Sequence, residues 1–159
     1  MQLFFLRHAD ADPNEDGSIS DEKRQLTEKG LKQARQLARM LKTWEVAPTR
    51  LYSSPLMRAK QTADIVAEAV KVSVAVRREL APGFDAEAVN ILTRDMHGDA
   101  SVMFVGHEPD FSAIIGQLIG GGRVVMKKCG LARLDIIDTN PLRCELAWMI
   151  PPKVFMEME

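Results

Sequence analysis

Short apolar runs alternate with amphipathic stretches along this chain. QLFFL at residues 2–6 is an apolar run of strand length, which predicts a short buried strand. After a polar segment, Leu31, Ala34 and Leu37 recur at helical spacing, as on the buried face of an amphipathic helix. Further stretches of strand character lie at residues 50–53, 72–76 and 101–105.

Capping residues and prolines mark where the predicted helices begin. Ser, Thr and Asp side chains accept hydrogen bonds from the first free N–H groups of a helix, and proline is tolerated in its first turn. The predicted helices run from a Thr27 cap to about Lys42, from a Ser54 cap with Pro55 as first residue to about Val70, over 86–96 after an Asp85 cap, and from Pro109 to the glycines at 120–122.

The last part of the chain has a different pattern. LARLDII at residues 131–137 and CELAWMI at 144–150 flank a turn-rich DTNP, which predicts an antiparallel hairpin. The alternation before it predicts a mostly parallel sheet with helices on both faces. We therefore expect an α/β three-layer sandwich with a C-terminal antiparallel hairpin, formed by residues 1–159 as a single domain; the pattern leaves the strand order open.

Composition narrows the function classes. The chain is 46% hydrophobic and 27% charged, as soluble globular proteins are, and its net charge of −1 predicts neither a nucleic-acid nor a membrane partner. Its apolar runs reach only about five residues, against the ~20 needed to span a bilayer. With no signal-peptide pattern and no metal-like or disulfide-like placement of Cys129 and Cys144, a cytoplasmic protein is expected.

Basic and polar side chains follow three of the predicted strands. Arg7 and His8 follow the first strand, Ser54 follows the second with Arg58 in the next helical turn, and His107 follows the fourth. Ligands of such sheets bind beyond the carboxyl ends of the strands. If these strands are neighbours, two arginines, two histidines and two helix N-termini meet there, which predicts a site for a phosphate dianion.

His8 can also react with a phosphate. A neutral imidazole is a good nucleophile near neutral pH and can attack phosphorus in line to give a covalent phosphohistidine. Arg7, Arg58 and His107 would stabilise charge on the equatorial oxygens of the transferring group. Water would then hydrolyse the intermediate.

Four segments, LRHADA, LTEKGLKQA, LYSSPLMRAKQTA and VMFVGHEPDFS, resemble the histidine phosphatase superfamily in their order and spacing, over roughly residues 2–120. The short length and the Arg-His-Ala-x-Ala form are most similar to the SixA-type branch, described as phosphohistidine phosphatases. The resemblance implies that His8 is the nucleophile, that Arg7, Arg58 and His107 form the phosphate pocket, and that no metal or other cofactor is needed.

The resemblance has one departure and one open position. Most of the family has glycine at the position of Ala9, whereas alanine is common there in the SixA-like branch. Glu79 lies about where superfamily members carry a general acid, but it is equally a surface carboxylate beside neighbouring arginines. Only about twenty residues, Leu80 to Ala100, join this segment to the next strand, which favours an open pocket able to admit a phosphorylated protein side chain.

Two residues are secondary candidates for the phosphate site. Ser54 is first of all a helix cap, and a phosphate contact would be a second role. Asn14 lies in the loop after the first strand and could reach a phosphate, although asparagine is an ordinary turn former.

Three other functions compete with a protein phosphohistidine phosphatase. The nearest is a phosphatase for a small phosphate monoester, with Glu79 as general acid. His8, Asp10 and Asp12, with His107, could instead form the metal cluster of a metal-dependent phosphoesterase. A non-catalytic phosphoprotein-binding module is the third, although a binder has no need of an aligned nucleophile.

Overall fold

A computed structural model describes residues 1–158 of the chain. These residues include a six-stranded sheet whose strands lie in the order β3-β2-β4-β1-β5-β6. The first four strands in this order are mutually parallel, and β5 and β6 are antiparallel, so the predicted fold class is confirmed. The strands are β1 (Gln2–Arg7), β2 (Arg50–Ser53), β3 (Val74–Val76), β4 (Ser101–Gly106), β5 (Leu131–Thr139) and β6 (Leu142–Ile150).

The helices begin mostly at the predicted signals. The Thr27 side chain accepts a hydrogen bond from the Gly30 N–H, and Asp85 caps its helix in the same way through the Ala88 N–H. A short last helix and two 3-10 turns were not predicted, and no helix of the described residues is long and apolar enough to cross a membrane. The helices are α1 (Glu28–Thr43), α2 (Met57–Val70), α3 (Ala86–Thr93), α4 (Asp110–Leu118) and α5 (Pro152–Met156), with 3-10 turns at Asp21–Lys23 and Arg78–Leu80.

The prediction that Ser54 caps α2 was wrong. The helix begins at Met57, with Leu56 at the cap position. The Ser54 N–H donates to the Val105 carbonyl at 3.0 Å, so its backbone still belongs to the hydrogen-bonding pattern of the sheet. Its hydroxyl accepts from the Leu56 N–H at 3.2 Å in a tight turn before the helix. This side chain is therefore free of the helix and available to the site.

Two hydrophobic cores cover the two faces of the sheet. Successive residues of β1 alternate between them: Phe4 and Leu6 belong to the core under α1, α2 and α5, and Leu3 and Phe5 belong to the core under α3 and α4. A strand buried on both faces has no polar side, which is why these strands are continuous apolar runs in the sequence.

The strand order brings the three predicted strand ends together. β4 lies between β2 and β1, with Arg7 paired to Gly106 and Ser53 paired to Val105. The residues that follow β1, β2 and β4 therefore emerge side by side at the carboxyl edge of the sheet.

Candidate active site

Four basic side chains meet at this edge. His8, Arg58 and His107 are only 6%, 6% and 3% exposed, and Arg7 is partly buried beside them. The ring centroids of His8 and His107 lie 5.4 Å apart. We call the group formed by Arg7, His8, Arg58 and His107 the basic pocket. The structure thus brings together the four residues to which the sequence pattern pointed most strongly.

The backbone determines which nitrogen of His8 carries the proton. Its Nδ1 lies 2.8 Å from the Ala9 carbonyl oxygen. A carbonyl oxygen can only accept, so we assign the proton of the neutral ring to Nδ1 and the lone pair to Nε2. Burial, together with the positive charges of Arg58 and Arg7, lowers the pKa of His8 to about 3. His8 is therefore a neutral imidazole with a free Nε2 lone pair near neutral pH.

Ser54 orients the second histidine. The Nε2 of His107 lies 2.7 Å from the Ser54 hydroxyl, and both side chains are buried. The Nδ1 of His107 is also buried and has no hydrogen-bond partner among the described residues. Burial, reinforced by the nearby charge of Arg58, lowers the pKa of His107 to about 4. His107 is therefore a second neutral imidazole with one nitrogen unused.

Asp21 holds the guanidinium group of Arg58. One terminal nitrogen donates to the Asp21 carbonyl at 2.9 Å and the other to its carboxylate at 3.2 Å. The Nε of Arg58 is buried without a partner in the described residues. Hydrogen bonding from Arg24 and the charge of Arg58 lower the pKa of the Asp21 carboxyl. Asp21 was not predicted as part of the site, because nothing in the sequence indicates where the loop after β1 folds back.

Arg7 is anchored by the segment between α4 and β5. Its Nη1 donates to the Met126 carbonyl at 2.9 Å, and its Nε is buried with no partner in the described part of the chain. The Cys129 N–H donates to the carbonyls of both Arg7 and His8, at 3.1 and 3.0 Å. This segment therefore fixes the backbone at the end of β1 as well as the arginine.

Thr62 links the two motifs that carry Arg58 and His8. Its hydroxyl accepts from the Ala9 N–H at 3.1 Å and donates to the Arg58 carbonyl at 2.8 Å. Thr62 is fully buried, so these bonds are protected from water. Thr62 lies within the motif LYSSPLMRAKQTA, but no role was predicted for it.

Gly106 allows β4 to end beside His107. A Cβ at this position would lie 2.8 Å from the ring of Phe111, which is fully buried. Any larger residue would have to move that ring or the strand end. The glycine before His107 is therefore required by packing, independently of any ligand.

The remaining candidates from the first loop stabilise that loop. The Asn14 amide donates to the Ile19 carbonyl at 2.8 Å and accepts from the Ile19 N–H at 3.3 Å. The Asp10 carboxylate bonds the Thr27 hydroxyl at 2.7 Å and Lys128 at 3.1 Å. The Asp12 carboxylate accepts from the Asn14 N–H at 2.9 Å. None of these contacts joins the basic pocket.

These contacts also test the alternative of a metal-dependent phosphoesterase with Asp10 and Asp12 as metal ligands. The two aspartates face partners of their own and do not converge with the histidines. In residues 1–158, no group of three or more His, Cys, Asp or Glu side chains is placed to hold a metal ion. The ligand cluster proposed from the sequence is therefore not assembled in this fold.

Glu79 lies at the surface beside the site. It is exposed on the 3-10 turn that its neighbour Leu80 anchors in the core, close to the end of β4. Its carboxylate forms no ion pair within the described residues, and Arg77 packs instead over the ring of Tyr52 at 5.1 Å.

The basic pocket suits an anion. Among residues 1–158, the buried Nε–H groups of two arginines and one nitrogen of a neutral imidazole have no hydrogen-bond partner. The first turns of α2 and α4 begin at the same edge, where helix N-termini favour negative charge. A tetrahedral anion with several acceptor oxygens would satisfy these donors.

Comparisons with known proteins identify the family to which this chain belongs. The family model of the histidine phosphatase superfamily (branch 1) matches residues 3–82. The phosphohistidine phosphatase SixA of Escherichia coli is 33% identical over 125 residues, which cover 76% of each chain. The chain belongs to the histidine phosphatase superfamily.

A structural similarity to SixA, together with the SixA relative above, places the chain within the SixA-type branch. The crystal structure of the protein histidine phosphatase SixA complexed with tungstate superposes with a TM-score of 0.84 at 28% identity, covering 97% of this chain and 99% of that one. An uncharacterized protein of a Picosynechococcus species is 35% identical over 146 residues, 84% of each chain. Phosphatase chemistry is the activity that this membership supports.

Proposed function

We propose that this protein is a metal-independent phosphatase that transfers the phosphoryl group of its substrate to Nε2 of His8. The observation that carries the proposal is the Nδ1 hydrogen bond to the Ala9 carbonyl, which leaves Nε2 as the lone-pair nitrogen of a buried, neutral ring. Its neighbours Arg7 and Arg58 supply the positive charge that a phosphate requires. The leading substrate is phosphohistidine on a protein, in keeping with the SixA relatives.

The first step exchanges one P–N bond for another. His8 Nε2 attacks phosphorus as the bond to the substrate imidazole breaks, and the departing nitrogen takes a proton from solvent. In the second step water attacks the phosphorus on His8, the P–Nε2 bond breaks, and inorganic phosphate leaves. The proton of His8 stays on Nδ1, which donates it in a hydrogen bond to the Ala9 carbonyl throughout, so the ring returns to the tautomer in which it began.

The other residues of the basic pocket stabilise the transferring group. The Nε–H groups of Arg7 and Arg58, which have no partner in the described part of the chain, are available to equatorial oxygens of the phosphoryl group. When the Ser54 hydroxyl donates to Nε2 of His107, the proton of that ring lies on Nδ1, the unused nitrogen. Ser54 is then a positioning residue that orients His107.

A phosphatase for small phosphate monoesters is the second candidate. Its support is Glu79, an exposed carboxylate without an ion pair in the described residues, on the 3-10 turn beside the end of β4. An alkoxide leaving group needs a proton more than an imidazole does. Glu79→Gln should therefore slow an alkyl phosphate much more than phosphohistidine; an equal loss on both substrates would remove this role for Glu79.

Trapping the phosphoenzyme tests the mechanism. Rapid acid-free quenching with a labelled phosphohistidine peptide should capture label that is stable to alkali and lost in acid. We expect His8→Ala to abolish this label and lower kcat by roughly 1000-fold or more, as loss of a nucleophile does. Arg58→Ala and His107→Ala should also lower kcat by orders of magnitude, because each removes charge stabilisation from the transition state.

The competing functions give different results in the same experiment. Activity that EDTA abolishes and a divalent ion restores would contradict the metal-independent mechanism. Tight binding of the phosphohistidine peptide without turnover would identify a binding module. Full activity in His8→Ala would refute the covalent step.

The cytoplasmic location remains a prediction. Cys129 and Cys144 are both buried free thiols, and burial raises the pKa of each. Buried thiols of this kind are common in reducing compartments, where they behave as small hydrophobic side chains.

A further inference from the structure

The segment that anchors Arg7 also forms an exposed surface beside the basic pocket. The 123–130 loop follows three glycines with positive φ values and leads into β5. Its buried part, including Met126, holds Arg7 and the end of β1. The loop therefore presents its exposed side chains at a fixed position next to the reacting groups.

These exposed side chains are basic and apolar. Arg123, Lys127 and Lys128 are all exposed, and among the described residues only Lys128 forms an ion pair, with Asp10 at 3.1 Å. Between residues 111 and 134 the chain contains no Asp or Glu, although the whole chain has a net charge of −1. Positive charge is thus concentrated on this side of the pocket.

The loop also borders an apolar groove. Val125 is 68% exposed, which is unusual for a large hydrophobic residue. Val125 and Lys127 line a groove of about 240 Å³ together with Met149, Ile150 and Pro151 at the end of β6. Because Leu131 of β5 pairs with both Ile150 and the last apolar residue of β1, the groove lies at the same edge of the sheet as Arg7.

Two other exposed apolar side chains lie close in sequence to residues that form or support the pocket. Met57 is 39% exposed and directly precedes Arg58. Ile19 is 37% exposed and lies two residues before Asp21, which holds Arg58. A small phosphate ester would not reach the apolar groove beside Val125, whereas a protein surface could fill it.

We propose that the 123–130 loop and its groove are the docking surface for the polypeptide that carries the phosphohistidine, and that the matching surface of this partner is acidic with exposed aliphatic side chains. The proposal rests on the proposed function and names the partner of the same site. Acidic residues of the partner meet Lys127 and Arg123, and an aliphatic residue enters the groove beside Val125. The charges act mainly on the rate of encounter, and the groove holds the complex.

Three substrates with the same scissile P–N bond test the proposal. They are free phosphohistidine, a synthetic phosphohistidine peptide rich in Glu and Leu, and the same peptide with Lys in place of Glu. We expect Lys127→Glu to lower kcat/KM for the acidic peptide roughly tenfold through KM, and to leave free phosphohistidine unchanged. Rising salt should lower kcat/KM for the acidic peptide in the unaltered protein.

Matched variants control for general effects of charge and polarity. Lys32→Glu changes an exposed charge on α1, and Ile91→Asp changes an exposed apolar residue of α3. Neither should change turnover of any substrate, whereas Val125→Asp should weaken the binding of the acidic peptide alone. A second readout is KM for the basic peptide, which Lys127→Glu should lower.

Several outcomes would overturn the proposal. Equal loss on free phosphohistidine and the acidic peptide would mean that Lys127 acts on the pocket itself. An unchanged kcat/KM for the acidic peptide in the loop variants would mean that the loop does not bind this peptide. Competitive inhibition by a single-stranded oligonucleotide that depends on Lys127 would assign the loop to nucleic acid. If the unaltered protein turned over neither free phosphohistidine nor the peptides, the proposed function itself would fail, before any comparison of variants.

Discussion

The reactivity of His8 depends on where its proton resides. The Ala9 carbonyl holds the proton on Nδ1, and burial keeps the second proton off the ring. A protonated His8 would also lie beside the positive charges of Arg58 and Arg7, so the neutral form is favoured. The site thereby keeps the nucleophile neutral at pH values well above about 3.

The low pKa of His8 makes stability depend on pH. Its pKa is about 3 in the folded chain against about 6.5 when exposed, so the unfolded state binds more protons between these values. The sign is therefore clear: the stabilisation is complete above about 6.5 and is lost as the pH falls toward 3. We expect the free energy of unfolding in urea to decrease over this range, and His8→Asn to flatten the decrease.

Two further measurements complete this test. His107, with a pKa of about 4, should contribute in the same direction, and His107→Asn should flatten the curve independently. The control is Asn90→Ala at an exposed, non-ionisable position, which should leave the slope unchanged. Identical slopes in all variants would show that neither buried histidine resists protonation.

At the scale of elements, the tightly packed ends of β4 and β2 position residues of the site. β4 ends at Gly106 against the ring of Phe111, and this contact sets where His107 leaves the sheet. β2 ends at Ser53, and the turn through Ser54 delays α2 by two residues beyond Pro55. The position of each functional side chain is therefore set by where an element starts or stops.

Gly106→Ala should disturb both the fold and the site. The new Cβ would lie 2.8 Å from the Phe111 ring, and overpacking of this kind costs about 1–3 kcal/mol of unfolding free energy. We also expect kcat to fall, because His107 follows directly. Urea denaturation and steady-state kinetics measure the two effects separately.

A double-mutant cycle identifies the cause. Phe111→Leu removes the ring edge that the new Cβ would meet, so Gly106→Ala should cost less stability in that background. Additive effects of the two substitutions would mean that the ring contact is not the reason for the glycine.

At the scale of the whole molecule, the sheet gathers positive charge in a protein that is almost neutral. The order β2-β4-β1 places Arg58, His107 and Arg7 at one edge, although they are far apart in sequence. The Nε–H groups of Arg7 and Arg58 have no hydrogen-bond partner within residues 1–158, and a buried donor without a partner costs free energy. An anion that binds the folded state should therefore stabilise the molecule as a unit.

Tungstate, the anion bound to the related SixA structure, provides the test. At 100 times its Kd, a ligand adds about 2.7 kcal/mol to the free energy of unfolding, which corresponds to a Tm increase of roughly 5–10 °C for a chain of this size. Differential scanning calorimetry should show this increase for the unaltered protein and a much smaller one for Arg58→Ala. Equal increases in both, or the same increase with chloride at matched ionic strength, would contradict a specific anion site.

The sequence anticipated much of the fold and the centre of the site. Apolar runs predicted the strands of the sheet, and the caps at Thr27 and Asp85 were confirmed because a side-chain cap is a local interaction. The predicted cap at Ser54 was wrong, because its backbone N–H donates a hydrogen bond to Val105 of the neighbouring strand β4. Asp21 and Thr62 were missed as supports of the site, because their roles depend on contacts distant in sequence.

The sequence by itself determined the alternation of elements, the ends of the strands and the identity of the residues placed there, because periodicity and capping are local properties of the chain. Only the tertiary structure decided that β1, β4 and β2 are neighbours, so that Arg7, His8, Arg58 and His107 form one pocket. It also decided the protonation of His8, since burial and neighbouring charges exist only after long-range packing has excluded water.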